Sequence, residues 1–270
     1  MHPLWGRPEL ANARGLAGAQ AIPSFESTMT TEVFPTPILT VDVVLLTMIE
    51  GCLHVALARR PNEPFSGQLA LPGGYVHADK DENTFDTAKR VLRSKIGVDL
   101  DSTSRSASSG LNGRGVGFEP AYLEQAFTES GPTRDPRGWS ASVVYLAVHA
   151  ADDLEVHCQR GLVELWDVDH LPTLAFDHAH LIELAVRRLR TKSSYTSLAA
   201  HLLPKEFTIP QVQLVFEALL GQRVNAANFR RKILETGALA ETRMIPAAFR
   251  PAQGYRLVER LTDFGQNLYR

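Results

Sequence analysis

Between Leu69 and Ile96 the chain runs from a short apolar stretch through Leu71-Pro72-Gly73-Gly74 and a polar loop into one amphipathic segment. Paired glycines allow a tight turn and a close backbone approach. In the segment Glu82–Ile96, Phe85, Ala88, Leu92 and Ile96 recur at helical spacing, and Gly97 follows as a stop. The flanking sequence supplies strands. Ile38–Ile49 is aliphatic and β-branched, Gly51 turns the chain into Cys52–Arg59, and Tyr122–Thr128, Ser142–Ala150 and Gly161–Val168 read as further strands. The expectation is a mixed α/β (α+β) core rather than a repeat or solenoid.

From His178 the composition changes. Residues 178–270 hold 14 Lys and Arg against 7 Asp and Glu, a net charge of +7, whereas residues 1–177 carry a net −9. Such a division suits a C-terminal part that meets a polyanion. His178–Thr191 reads as a connector helix, followed by a short helix around Tyr195–Leu202. In Ile209–Leu220, Val212, Val215, Phe216, Leu219 and Leu220 form one stripe, closed by Gly221. A second helix, Asn225–Thr236, has Ala226, Phe229 and Ile233 on one face and Asn228, Arg231 and Lys232 broadly opposite, with Arg230 flanking them. Strand candidates Leu239–Ile245 and Tyr255–Val258 then enclose a Pro/Arg-rich loop. Three helices and a two-stranded wing make a winged helix-turn-helix. Asn pairs with adenine, Arg with guanine, and either Lys or Arg holds phosphate, so Asn228, Arg230, Arg231 and Lys232 are the DNA-binding candidates. Arg243 and Arg250 in the wing join them.

The loop-helix resembles the Nudix signature, Gly-x5-Glu-x7-Arg-Glu-U-x-Glu-Glu-x-Gly-U with U aliphatic, and the resemblance implies an α/β/α sandwich with a mixed sheet. Aligned back from Gly97, Arg90 matches the Arg, Leu92 the aliphatic position and Glu82 the first Glu, with two extra residues between Gly74 and Glu82. The three later Glu positions hold Val91, Ser94 and Lys95. Nudix hydrolysis needs divalent cations on hard oxygen ligands. Val91 and Ser94 offer no carboxylate and Lys95 repels a cation, so no catalytic residues and no efficient enzyme are expected.

The whole pattern, with Gly131-Pro-Thr-Arg-Asp-Pro-Arg-Gly138, Leu174-Ala-Phe-Asp-His178, Asn228-Phe-Arg-Arg-Lys-Ile233 and Arg250-Pro-Ala-Gln-Gly-Tyr-Arg256, is similar to the Nudix-related transcriptional regulators. Their best-known members repress genes of NAD metabolism. The resemblance spans about residues 37–260. It implies a ligand-responsive repressor, a homodimer on a double-stranded DNA operator, with ADP-ribose or a related nucleotide as effector and no required cofactor. It places the effector near Arg59, Gly73 and Gly74, with Arg134, Asp135 and Arg137 on the 131–138 loop. Guanidinium groups suit a diphosphate through forked, charge-assisted hydrogen bonds. Phe127 has two readings, a stacking platform or a core aromatic. Asp135 likewise reads as a ligand contact or a loop brace.

The domain expectation is a flexible arm over 1–36, a Nudix-like sensing domain over 37–176 with a mobile insertion at 101–117, a connector over 177–192 and a winged helix over 193–270. The start lies at Met1 or Met29. His178 and His180 beside Asp177 lack a partner cluster, so no metal site is expected. No apolar run suits a membrane span, and Cys52 and Cys158 read as buried free thiols of a cytoplasmic protein. Rival readings are an active ADP-ribose or nucleotide-sugar pyrophosphatase, a sugar-responsive regulator on the same architecture, and a protein-interaction module.

Overall fold

The computed structural model describes residues 35–96, 120–246 and 250–265. The expected arm (1–36, apart from residues 35 and 36) and the 101–117 insertion lie outside them, as does Gly97. The described residues from 37 onward belong to one compact unit. Its first strands are β1 (Ile38–Ile49), β2 (Cys52–Arg59), β3 (Leu69–Ala70) and β4 (Gly73–Tyr75). Helix α1 (Thr84–Ile96) precedes β5 (Tyr122–Gly131), β6 (Ser140–Val148), helix α2 (Ala151–Gln159) and β7 (Glu164–Asp167).

These seven strands make one sheet in the order β3-β2-β1-β6-β5, with β4 beside β1 and β7 beside β2. β1 and β6 are parallel while the other pairings are antiparallel, so the sheet is mixed. Alternation along β1 explains the layers. Val41, Val43 and Leu45 face the cluster that holds Ala88, Val91, Leu92 and Ile96 of α1 and Leu154 of α2. Val44 and Leu46 face the opposite cluster, which contains α3 (His178–Ser193) through Leu181, Ile182, Ala185 and Leu189. Helices therefore cover both faces, as expected.

Helix α1 starts two residues later than predicted, because Asn83 accepts from the amides of Phe85 and Asp86 and so begins the helix. Phe85 lies outside the core, half-exposed beside the Tyr145 ring. Helix α2 falls in a stretch with no clear period; its fully buried Leu154 is what seats it. The thiols also differ from expectation. Cys52 opens β2 beside the turn at Glu50-Gly51 and is exposed, while Cys158 is half-buried.

After α3 come a 3-10 turn (Ser197–Leu202), α4 (Ile209–Leu220), α5 (Ala226–Glu235), β8 (Leu239–Ile245) and β9 (Ala252–Leu257). Local chemistry fixes α4. Thr208 and Gln211 form a reciprocal capping box, Pro210 occupies the first turn, and Gly221 ends the helix at φ +67°. Strands β8 and β9 pair antiparallel as the wing. Phe207, Val212, Phe216, Phe229 and Tyr255 belong to the same continuous cluster as α3 and the sheet face beneath it. Among the described residues no helix is long and apolar enough to cross a membrane.

Candidate functional site

A cleft of about 390 Å³ opens where β1, β4, α1, the 131–138 loop and the start of α3 converge. Gly73 and Gly74 form one wall. Gly73 must lack a side chain, since a Cβ there would lie 2.0 Å from Asp42 Oδ1 and 3.0 Å from the Val41 carbonyl oxygen. Val91, Ser94 and Lys95 of α1 line the same cleft, at the positions where the signature has carboxylates. Among the described residues no three His, Cys, Asp or Glu side chains gather in a metal-holding group.

The scaffold pair differs from the alignment. Arg90 does not use Glu82, which is exposed; it donates through Nε and Nη2 to the buried Asp81 at 2.8 and 2.6 Å. Asp81 also accepts from the His77 amide and the Thr87 hydroxyl, and Arg90 Nη2 reaches the Tyr75 carbonyl oxygen at 2.8 Å. Hydrogen bonding from Arg90 foremost holds the Asp81 carboxyl far below the usual carboxylate range. The clamp fixes the turn after β4 onto α1.

The 131–138 loop brings its predicted residues together. Arg134 donates from Nε and Nη2 to Asp177 at 2.9 and 3.0 Å and from Nη1 to Ser140 Oγ at 3.3 Å. Asp135 is buried and accepts from the Arg137 amide, Nε and Nη2. Burial opposes its charge, but these bonds outweigh it and keep the carboxyl below its ordinary range. Asp135 therefore braces Arg137, whose Nη1 donates to the Tyr75 hydroxyl and whose guanidinium lies 5.3 Å from the Tyr75 ring and 5.8 Å from that of Phe176.

Two predicted residues lie elsewhere. Arg59 does not line the cleft: it pairs with Glu164 at 2.8 Å and donates to the Gly67 carbonyl oxygen at 3.3 Å on the exposed surface. Neighbouring residues on extended chain point oppositely, so Arg60 enters instead. Its guanidinium stands 4.6 Å from the Phe176 ring centre, and burial, then the nearby Arg137, lowers its pKa. Phe127, opposite Val144 and packed on the core beside a register shift in β5, is a core aromatic and does not line the cleft.

Sequence reasoning passed over Arg60, Tyr75, Phe176, Asp42 and His178 as cleft residues; all five line it. Phe176 and His178 stood in the Leu174–His178 motif, and the positive φ of Phe176 (54°) aims its ring at Arg60. His178, the first residue of α3, is buried; burial lowers its pKa, and its Nδ1 accepts from the Leu71 amide at 2.9 Å.

The second surface lies on the winged part. Glu217, buried in α4, accepts from Gln213, Arg223 and the Val224 amide and so fixes the turn into α5. Asn225 caps α5 by accepting from the Asn228 amide at 3.0 Å. Phe229 and Ile233 are buried, with the Phe229 ring edge-on to Phe216 at 5.5 Å. Ala226, expected on that face, is exposed because it sits in the first turn, ahead of the contact. Asn228, Arg230 and Arg231 are exposed along the outer face and Lys232 is half-buried. Arg231 bridges Asn228 Oδ1 at 2.9 Å and Glu235 at 3.0 Å. In the wing Arg243 lies 3.5 Å from Glu206, and Arg250 is exposed at the β8–β9 loop.

A mixed-sheet sandwich with a Nudix-like loop-helix, sharing one core with a winged helix, defines a Nudix-fold regulator. Residues 199–257 match the NrtR DNA-binding winged helix domain. Over 235 residues the chain is 33% identical to the ADPR-responsive transcriptional repressor NtrR of Acinetobacter baylyi, covering 86% of each protein. The structure of Shewanella oneidensis NrtR complexed with a 27mer DNA is 34% identical with a TM-score of 0.70, covering 81% of this chain and 93% of that one. A MutT/nudix family protein of Enterococcus faecalis is 26% identical with a TM-score of 0.61, covering 83% and 88%. The chain belongs to the NrtR family of Nudix-related transcriptional regulators.

Proposed function

We propose that the protein is a DNA-binding repressor of NAD-metabolism genes, released from its operator by ADP-ribose or a related nucleotide, and that it does not hydrolyse that nucleotide efficiently. The observation that carries this reading is the cleft. Arg60, Arg134 and Arg137 converge on it while the signature's later carboxylate positions hold Val91, Ser94 and Lys95. Guanidinium groups bind a diphosphate, yet nothing on that face of α1 suits a divalent cation that would activate water. The site fits retention of a nucleotide better than its cleavage.

In this assignment residues 37–176 sense, 177–192 connect and 193–270 bind DNA, with Asn228, Arg230, Arg231, Lys232, Arg243 and Arg250 meeting the duplex. A homodimer in the cytoplasm would present two α5 helices to successive half-sites. The route from cleft to DNA is α3. Its N-terminal neighbour Asp177 is held by Arg134, a cleft residue, and Asp177 makes no side-chain cap on the helix it precedes. Effector phosphate competes with Asp177 for Arg134, freeing Asp177 to cap α3 and re-seat it. At its far end Arg188 and Lys192 of α3 pair with Glu124 of β5.

The test is fluorescence anisotropy with DNA from upstream of the protein's own operon, titrated with ADP-ribose, alongside incubation of ADP-ribose and Mg²⁺ with the protein. Sequence-selective, salt-sensitive binding that ADP-ribose weakens is expected. Turnover at ordinary enzyme rates, or operator binding indifferent to ADP-ribose, overturns the proposal.

A further inference from the structure

The floor of the cleft carries a carboxylate, which an anion-binding site does not need. Asp42 of β1 is nearly buried and lies under Gly73. Its Oδ2 accepts from Ser142 Oγ at 2.6 Å. Its Oδ1 faces His178 Nε2 at 3.7 Å, beyond hydrogen-bond reach. The tautomer of His178 follows from its other nitrogen. Nδ1 accepts from the Leu71 amide, so in the neutral ring the proton sits on Nε2. A donor and an acceptor therefore confront each other across a gap, both lining the cleft.

The geometry points to a hydroxyl-reading floor: Asp42 Oδ1 and His178 Nε2 together bind one ribose hydroxyl of the effector, which accepts from the imidazole and donates to the carboxylate. This rests on the nucleotide-effector reading above and names the part of the ligand that the floor selects. An oxygen at about 2.8 Å from each atom spans the 3.7 Å gap with an angle of roughly 80° between the two bonds. Only a group that donates and accepts from one atom satisfies both sides, and a hydroxyl is that group. A phosphate oxygen is acceptor-only and is repelled by Asp42. A cationic amine is disfavoured by Arg60 and Arg134, whose charges also reach His178. The arginines and the floor thus divide the ligand, phosphate to the first and sugar to the second. Water fills such a gap in the free protein, and a ligand hydroxyl displaces it without losing its bonds.

Calorimetry tests this with the full-length protein, ADP-ribose and analogues that each lack one ribose hydroxyl. On the wild type, one analogue is expected to bind about tenfold or more weakly than ADP-ribose. In Asp42→Ala that penalty falls to within about twofold, because the hydroxyl has lost its acceptor. In Arg137→Ala all ligands weaken together and the penalty remains. In labelled wild-type protein, NMR adds a reading that needs no variant: the His178 imidazole N–H shifts downfield with ADP-ribose and not with the sensitive analogue. If every analogue binds within twofold of ADP-ribose, or the penalty survives Asp42→Ala, the hydroxyl-reading floor is refuted and the effector reading stands. If ADP-ribose does not bind the wild type at all, the effector reading fails and takes the floor with it.

Discussion

Replacing Asp81 by Asn and Glu82 by Gln separates structure from alignment. Glu82 is the carboxylate that matches the signature, but the one that holds Arg90 is Asp81, which accepts two bonds from Arg90, one from the His77 amide and one from Thr87. Each hydrogen bond involving a charged group stabilises by about 1.5–3 kcal/mol, against about 0.5–1.5 for a neutral one. Asn also turns one donor toward the Arg90 fork. Asp81→Asn is therefore expected to cost about 2–3 kcal/mol, a fall in Tm of roughly 5–10 °C at about 2–4 °C per kcal/mol for a chain of this size. Glu82 is exposed, and Glu82→Gln should change stability by less than about 0.5 kcal/mol. Urea unfolding at pH 7, followed by tryptophan fluorescence, reads both. A pH series supplies the sign. The Asp81 carboxyl is depressed in the folded protein, so its contribution is complete above about pH 5, where the unfolded group is ionised too. It is lost as the pH falls below about 4, so the gap between wild type and Asp81→Asn should narrow there. A Glu82→Gln cost equal to that of Asp81→Asn, or a gap that persists undiminished into acid, refutes the assignment.

Two further outcomes follow from the contacts around α3 and α5. Asp177→Asn weakens the bidentate hold on Arg134, so calorimetry should show ADP-ribose binding as tight as in the wild type or up to several-fold tighter, while anisotropy shows a smaller effector-induced loss of DNA affinity. An undiminished loss would disconnect Asp177 from the response. Arg230 makes no ion pair or hydrogen bond among the described residues; if it neutralises one phosphate, Arg230→Ala should flatten the log–log salt dependence of operator binding by about 0.9. A slope equal to that of the wild type would remove it from the interface.

How much of this was legible in the sequence depended on the range of the interactions involved. Helix α4 was readable to its ends because the signals that bound it, Pro210 and Gly221, act within a turn of the boundary. The sheet order was not, since nothing local says that β6 pairs in parallel with β1 a hundred residues earlier. Helix α2 was missed because the pull on it is one buried residue, Leu154, rather than a stripe. In the cleft, Gly73, Gly74, Arg134, Asp135 and Arg137 came from motifs and do line it. Arg59 was one residue out: the strand ends there, and parity decides which arginine turns inward. The partner of Arg90 was not read from the sequence at all: two extra residues in the loop leave spacing alone unable to point to Asp81. Asp42 and His178 were illegible for a different reason, since their meeting joins β1 to α3 across the whole sensing domain and no motif spans it.

The packing limits how a signal can pass. Leu181, Ile182, Ala185 and Leu189 of α3 share one continuous core with Val44 and Leu46 of the sheet and with Phe207, Val212 and Phe216 of the winged part. A flexible tether between sensor and reader would show a break in that core, and there is none among the described residues. Close-packed interiors shift between discrete arrangements rather than deform smoothly. The ligand must therefore act on α3 as a body, and its ends are where the body is held by polar contacts that a small molecule can contest. At the far end the half-buried Glu124 takes Lys192, Arg188 and the Tyr122 hydroxyl, none of which lines the cleft. At the near end Arg134 lines the cleft and Asp177 lies beside it. The arginine-lined cleft meets α3 at that near end, so under the proposed function the effector acts there, while the Glu124 contacts hold the far end.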